Sequence, residues 1–191
     1  MEVINMSVLK NSHFLLNTLN CIARTAYAEG ARSTEEAIYS LSELVRSTLA
    51  ETEQIQTIRG ELEIVRMYLS LQKIRLKDYF GFQVDVLEQV MDQRIPNMTL
   101  LPIVEHAVTC GISNDDGMLR IRIYAKRLGR RIEIYVENNA GSGKENGSDH
   151  YILDKKLKRT FGEEYGIRTA RSEMGKGSVT VVAIPVYERY A

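Results

Sequence analysis

The sequence is poor in the residues that mark several classes of protein. Its 191 residues include no tryptophan, two cysteines and three prolines. Cys21 and Cys110 form neither a CxxC pair nor a zinc-ligand spacing, so we expect two reduced thiols and no metal site. No apolar run approaches the roughly 18 residues of a membrane span, and the N-terminal segment lacks the apolar block of a signal peptide. We therefore expect a cytoplasmic protein without direct membrane insertion.

The charges balance, which argues against another class. Lys plus Arg number 25 and Asp plus Glu number 25, so the formal net charge is zero. A nucleic-acid binder ordinarily carries a basic surface, so we expect no nucleic-acid partner. Hydrophobic residues make up 44% of the chain, which is typical of a globular protein. At about 150 residues per domain, the length suits one domain or two small ones.

The first 80 residues are expected to be helical, because they contain no proline and two glycines. Apolar residues at helical spacing predict one helix over about 3–28, ended by Gly30, and another over about 58–78. Between them, Ser33 and Glu36 stand in capping-box spacing and predict the start of a further helix. The first two helices would form an antiparallel hairpin. Pairing with a second copy into a four-helix bundle would cover its apolar face.

After residue 80 the apolar pattern changes to that of strands. Alternation at 82–86, 119–124 and 131–136 predicts strands, and the last two form a hairpin across Gly129. The other predicted elements are a buried helix over 98–110, a polar loop over 138–149, a helix near 151–160 and a final strand over 178–186. The predicted fold class is therefore α+β, with a helical hairpin followed by an α/β sandwich.

His13 is the titratable residue that most suggests a chemical role. It lies on the first predicted helix, in the run NSHFLLNTLN. A neutral imidazole is a nucleophile and has an ordinary pKa of about 6.5, so an exposed histidine can accept a phosphoryl group. The alternative is a histidine on the helix surface, or lining the bundle, that has no chemistry.

Five segments, in order along the chain, resemble one family. HFLLNTLN at 13–20 resembles the phospho-acceptor box of the LytS/YesM-type sensor histidine kinases. The segments at 41–49, 61–76, 95–112 and 162–185 resemble the family's second dimerisation helix, its patterned E-L…Y-L…Q segment, its N box and its closing glycine-rich segment. This resemblance covers nearly the whole chain.

The resemblance implies an architecture and partners. A dimerisation and phosphotransfer region would occupy residues 1–78, and a GHKL (Bergerat-type) ATPase-like domain would occupy 79–191. It also implies a homodimer, or a heterodimer with an active kinase, and a response regulator as partner. The phosphoryl acceptor would be His13.

The chain departs from the family where magnesium would bind. The N box of the family has Glu-Asn, and here the pair is Glu105-His106. The family's asparagine holds Mg²⁺ through its amide oxygen, and Mg²⁺ prefers oxygen ligands, so an imidazole is a poor substitute. Nearby, Thr109 and Cys110 replace a lysine and a histidine of the family pattern.

The other nucleotide boxes change as well. The stretch NNAGS at 138–142 aligns with Asp-Asn-Gly-x-Gly, so Asn138 replaces the aspartate that would accept a hydrogen bond from adenine. Asn139 and Gly141 are further positions that this alignment assigns to nucleotide. The next box keeps one glycine, and Gly177 belongs to the box that retains its pattern. We therefore expect a degenerate site that no longer transfers phosphate from ATP.

Three functional hypotheses follow from this mixture of retained and altered residues. In the first, His13 accepts phosphate from the aspartyl phosphate of a response regulator and passes it on, and no cofactor is required. In the second, the chain is an autokinase that binds ATP and Mg²⁺ at an atypical site. In the third, it is a non-catalytic module that pairs with an active kinase or sequesters a regulator.

Overall fold

The computed structural model describes residues 2–49, 55–112, 117–140, 148–172 and 177–187. The predicted polar break at 51–54 and most of the predicted loop at 138–149, including Gly141, lie outside the described residues.

The chain begins with a helical hairpin of α1 (Glu2–Ala28) and α2 (Arg32–Leu49). The turn is closed by two hydrogen bonds, from Ala31 N to Ala26 O at 2.8 Å and from Gly30 N to Tyr27 O at 3.0 Å. Gly30 has φ +73°, a conformation that glycine adopts without steric cost. This is a Schellman ending, and it confirms the predicted stop at Gly30.

The predicted capping box at the start of the second helix is wrong. The helix begins at Arg32, so Ser33 lies inside its first turn. The carbonyl of Ala31 accepts hydrogen bonds from the backbone N–H groups of Thr34 and Glu35, both at 3.0 Å. Helix α2 therefore begins directly after the tight turn, and Ser33 does not occupy its N-cap position.

A five-stranded mixed sheet forms the second half of the molecule. Its strands are β2 (Phe80–Asp85), β4 (Leu119–Leu128), β5 (Arg131–Asn138), β6 (Gly166–Arg171) and β7 (Ser178–Pro185). They lie in the order β2-β4-β5-β7-β6, with the first two parallel and the other neighbouring pairs antiparallel. The predicted hairpin across Gly129, which has φ +63°, is confirmed.

Three further helices, α3 (Ile58–Leu76), α5 (Leu100–Ile112) and α6 (Ser148–Phe161), share one hydrophobic core with the sheet. Residues at helical spacing on α3 are fully buried in this core, among them Val65 and Leu69. The predicted helices and the sandwich are thus confirmed. The division at residue 78 stays a prediction, although α3 packs into the sandwich core.

Two short strands, a short helix and one edge strand were not predicted from the sequence. β1 (Ile55–Thr57) pairs with β3 (Arg94–Pro96) in an antiparallel ribbon, and α4 (Glu88–Met91) is a single turn. Three-residue strands are too short to show alternation. Edge strand β6 alternates between half-buried and exposed residues and has few apolar side chains.

Glu61, on α3, holds the start of α5. Its side chain is only 1% exposed. One carboxylate oxygen accepts a hydrogen bond from Met98 N at 2.7 Å, and the other accepts from Thr99 N at 2.9 Å and Leu100 N at 2.7 Å. The side-chain amide of Gln56 also donates to it. These backbone N–H groups lack partners within α5, so Glu61 caps this helix from a distant position in the chain.

We expect Glu61→Gln to lower the free energy of unfolding by about 1–3 kcal/mol. Both oxygens of Glu61 accept hydrogen bonds from backbone N–H groups. In either orientation, the glutamine amide would place its NH₂ group, which is a donor, against some of these N–H donors. Chemical denaturation measures the change. Glu63→Gln is the matched control, because Glu63 is exposed on the same helix. Equal stability of the two variants would contradict the capping role.

The same carboxyl predicts a pH dependence. Burial raises the pKa of Glu61 above its ordinary value of 4.5, and the hydrogen bonds that it accepts oppose this rise. A carboxyl with a raised pKa in the folded state adds stability that is complete below its unfolded pKa and is lost as pH rises through the folded pKa. The stability advantage of the native chain over Glu61→Gln should therefore shrink as pH increases from 4.5. Urea denaturation of both proteins at a series of pH values measures this difference in stability. A difference that grows over this range would contradict the raised pKa of Glu61.

Candidate functional site

His13 lies on an exposed face of α1, as the phospho-acceptor hypothesis requires. Its Nδ1 atom is 3.1 Å from the side-chain Nδ2 of Asn17, one helical turn further on. The adjacent Phe14 and Leu15 are also exposed, at 73% and 45%. The imidazole of His13 therefore lies beside apolar side chains on an accessible helix surface.

The two N-box residues lie on different sides of α5. Glu105 is exposed, and its charge acts on the pKa of Tyr68 on α3. Burial raises the pKa of Tyr68 to about 12, the charge of Glu105 adds to the rise and that of Arg75 opposes it. His106 instead faces α6, where its ring makes an edge contact with His150 at a centroid distance of 4.9 Å. The sequence prediction grouped Glu105 and His106, and the helix separates them.

A thiol completes the surroundings of His106. The Sγ atom of Cys110 lies 3.4 Å from the Nε2 atom of His106. On the other side stands His150, which is 4% exposed and was not among the predicted site residues. The signal for it was available, because His150 falls in the stretch aligned with the third nucleotide box and is one of three histidines in the chain.

Asn138, at the end of β5, forms side-chain hydrogen bonds that connect three elements. It is 1% exposed. Its amide nitrogen donates to the carbonyl of Ala107 at 3.4 Å and to the hydroxyl of Ser178 at 3.2 Å. Its amide oxygen accepts from the backbone N–H of Ser178 at 3.1 Å. The side chain that the alignment placed against adenine therefore links α5, β5 and β7.

Gly177 meets this junction at close range. A Cβ atom at this position would lie 1.8 Å from the backbone oxygen of Asn138. The carbonyl of Gly177 also accepts a hydrogen bond from Ser172 N at 2.9 Å. Because the obstruction is backbone, only glycine fits here.

Asn139 points away from the junction and toward β4. Its side-chain oxygen accepts from Arg120 N at 2.7 Å, and its amide nitrogen donates to Met118 O at 3.0 Å. Of the predicted nucleotide residues, the structure thus brings together Asn138 and Gly177. It places His106 beside Cys110 and His150, and it directs Glu105 and Asn139 elsewhere.

The side chains around His106 do not suit a magnesium-bound nucleotide. Mg²⁺ demands oxygen ligands in near-ideal geometry, and here His106 is flanked by an imidazole and a thiol. Among the residues that the structure describes, no group of three His, Cys, Asp or Glu residues could hold a metal ion. The amide of Asn138 is engaged on both of its polar atoms by neighbouring elements. The side chains that lie around His106 are therefore poorer Mg²⁺ ligands than the asparagine oxygen that the resemblance implies at this position.

The fold is that of a GHKL-type ATPase domain, preceded by a helical hairpin. Two solved structures of the catalytic domain of the histidine kinase ThkA match 69% of this chain and cover 97% and 95% of theirs, with TM-scores of 0.50 and 0.53. Their sequence identities, 17% and 15%, show the fold alone.

Sequence comparisons identify the family. The model of the family described as "Histidine kinase" matches residues 5–80. The sensor histidine kinase YesM of Bacillus subtilis is 33% identical over 92% of this chain, and BtsS of Escherichia coli is 31% identical over 84%. The chain belongs to the histidine kinase family. It spans about a third of the length of these relatives, 32% and 29% respectively.

In the parts of the chain that the structure describes, none of the helices has the length and apolar character needed to cross a membrane.

We expect Gly177→Ala to destabilise the junction by about 3 kcal/mol, since backbone must move to admit the methyl group. Thermal and chemical denaturation measure this. Gly81→Ala is the matched control, because a Cβ there would meet only the terminal methyl of Met118, at 2.8 Å. If both variants were as stable as the native chain, the statement that backbone leaves no room for a methyl group at Gly177 would be contradicted.

Proposed function

We propose that this chain is a two-component signalling protein in which His13 accepts a phosphoryl group from a response regulator and returns it, without autophosphorylation from ATP. The exposed imidazole of His13, in a phospho-acceptor motif on the hairpin, carries the proposal. The family supplies the class of reaction. The poor match between His106 and a magnesium site favours a phosphoryl donor other than ATP.

The transfer needs little from this chain. A ring nitrogen of neutral His13 attacks the phosphorus of the regulator's aspartyl phosphate, and a P–N bond forms while the P–O bond to the aspartate breaks. The carboxylate leaves with the bonding electrons, and the imidazolium then gives its remaining ring proton to water. The acyl phosphate supplies the free energy, and the regulator supplies its own Mg²⁺ and aspartate.

The hairpin surface supports the dimer that this proposal includes. Leu15 and Ile22, which lie seven residues apart on one face of α1, are 45% and 47% exposed, and Leu41 on α2 is 42% exposed. A second hairpin would cover these side chains in a four-helix bundle. The proposed dimer contains two copies of this chain or one copy and an active kinase, and its proposed location is the cytoplasm.

The second candidate is an ATP-dependent autokinase, favoured by membership of a family whose matched relatives are named sensor histidine kinases. It requires Mg²⁺-nucleotide to bind near His106 and Asn138. The third, a module that only binds a kinase or regulator, requires neither labelling of His13 nor nucleotide.

Labelling from a phosphorylated regulator tests the proposal. A panel of response regulators is charged with radiolabelled acetyl phosphate, freed of the donor and mixed with the chain without ATP. We expect acid-labile label on the native chain and on the control Thr25→Ala, and background label on His13→Gln. His13→Gln should keep the fold and the dimer, because His13 is exposed. No labelling from any regulator would overturn the relay.

Calorimetry with Mg²⁺ and a non-hydrolysable ATP analogue separates the remaining hypotheses. We expect binding weaker than about 1 mM, which is less than about 4 kcal/mol of binding free energy. Micromolar binding would favour the autokinase. An inert chain in both assays would favour the binding module.

A further inference from the structure

A cavity of about 650 Å³ lies between α6 and the ribbon of β1 and β3, outside the site described above. It is lined on the ribbon side by Ile55, Pro96 and Met98, and on the helix side by a row of α6 side chains that begins with Ile152. Ile55 and Ile152 are 45% and 62% exposed, so apolar surface on both sides of this gap faces solvent. The volume falls within the ordinary range of small-ligand sites, and we call this cavity the α6 trough.

The charged side chains of the α6 trough are all cationic. Lys155, Lys156 and Arg159 line it from α6, where residues three and four apart share one face of the helix. Among the described residues that line the trough, none is acidic, although the whole chain has no formal net charge. The Nζ atom of Lys156 donates to the backbone carbonyl of Asn97 at 2.7 Å, and that of Lys155 lies 4.4 Å from the centre of the Tyr151 ring. A carbonyl and an aromatic ring carry no net charge, so the trough keeps a positive side.

Met98 contributes an unusual backbone conformation to the ribbon side of the trough. Its φ is +59°, a region that residues other than glycine rarely adopt. Its backbone N–H donates to the buried Glu61 at 2.7 Å, a contact that helps to hold this conformation. Backbone strain that neighbouring contacts hold in place clusters at ligand-binding and active sites. The trough therefore borders the residue at which Glu61 holds the start of α5.

We propose that the α6 trough binds a fatty-acid anion of medium chain length, with its alkyl chain between the ribbon and α6 and its carboxylate at Lys155 and Arg159. This site goes beyond the proposed function and is independent of His13. An alkyl chain removes the apolar lining from water, and the ammonium and guanidinium groups pair with the carboxylate. A small anion alone would leave the apolar lining in water, and an uncharged chain would give the cations no new partner.

The length of the trough selects the probe. Its α6 side runs from Ile152 to Thr160, which is about 12 Å along the helix. This length suits one extended alkyl chain, so decanoate is the test ligand. Octanoate has the same head and a chain shorter by two methylenes. Decyltrimethylammonium has the same alkyl chain and the opposite charge.

Calorimetric titration of the full chain, with each probe below its micellar concentration, tests the proposal. Full burial of one methylene strengthens binding about fourfold, and the trough is open to solvent, so we expect octanoate to bind about tenfold more weakly than decanoate. Decyltrimethylammonium should not bind, because its head meets cations. Equal affinity for decanoate and decyltrimethylammonium, or no binding of decanoate at about 1 mM, would overturn the proposal.

Charge variants locate the carboxylate. The double variant Lys155→Gln/Arg159→Gln removes two exposed charges from the trough, and we expect it to weaken decanoate binding about tenfold. The matched control is Arg122→Gln/Lys126→Gln, which removes two exposed charges from the face of β4 opposite the core. The control should bind decanoate within twofold of the native chain. An equal loss in both double variants would show that net charge, and not the trough, attracts the anion, and would overturn the site.

An apolar variant locates the alkyl chain. We expect Ile152→Asn to weaken decanoate binding about fivefold and to have less effect on octanoate. Leu128→Asn is the matched control, because Leu128 is an exposed apolar residue of β4, at 53%, and does not line the trough. Circular dichroism checks the fold of each variant. Unchanged affinity in Ile152→Asn would overturn the placement of the chain, and no outcome of these titrations depends on phosphorylation of His13.

Discussion

The hydrogen bonding of the buried Glu61 carboxyl is the interaction on which the geometry of the candidate site depends. It satisfies the N–H groups at the start of α5, and α5 in turn presents Ala107 to Asn138 and His106 to His150. A helix start buried without acceptors would cost free energy for each orphaned donor. One buried side chain therefore fixes where α5 lies on the sheet and what its middle turn can contact.

Much of the fold was predictable because it follows from local patterns. The apolar stripe of α3, the alternation of β4 and β5 and the glycine at position 30 each encode their element within a few residues. The short ribbon of β1 and β3 is different, since three residues carry no period and pairing decides their conformation. The side chain of Ser33 suits an N-cap, but Ser33 does not occupy that position. The turn before it ends at Ala31, and the carbonyl of Ala31 accepts the first hydrogen bonds of α2.

The site was less predictable than the fold, because its contacts join distant residues. Glu61 lies on the apolar stripe of α3, next to Leu62 and ahead of Val65, and a charge at such a position signals a buried partner. What that partner is depends on α5, which follows almost forty residues later. The pairing of His106 with His150 likewise appears only when α5 and α6 pack on the same face of the sheet.

The close approach at Gly177 has a consequence for how relatives of this chain should be compared. A glycine that leaves no room for a methyl group is maintained by selection on folding, whether or not a ligand is still bound. The presence of Gly177 is therefore explained by packing and is not by itself a sign that nucleotide binds. His106 meets other side chains rather than backbone at this range, so its identity is the more informative one for such a comparison.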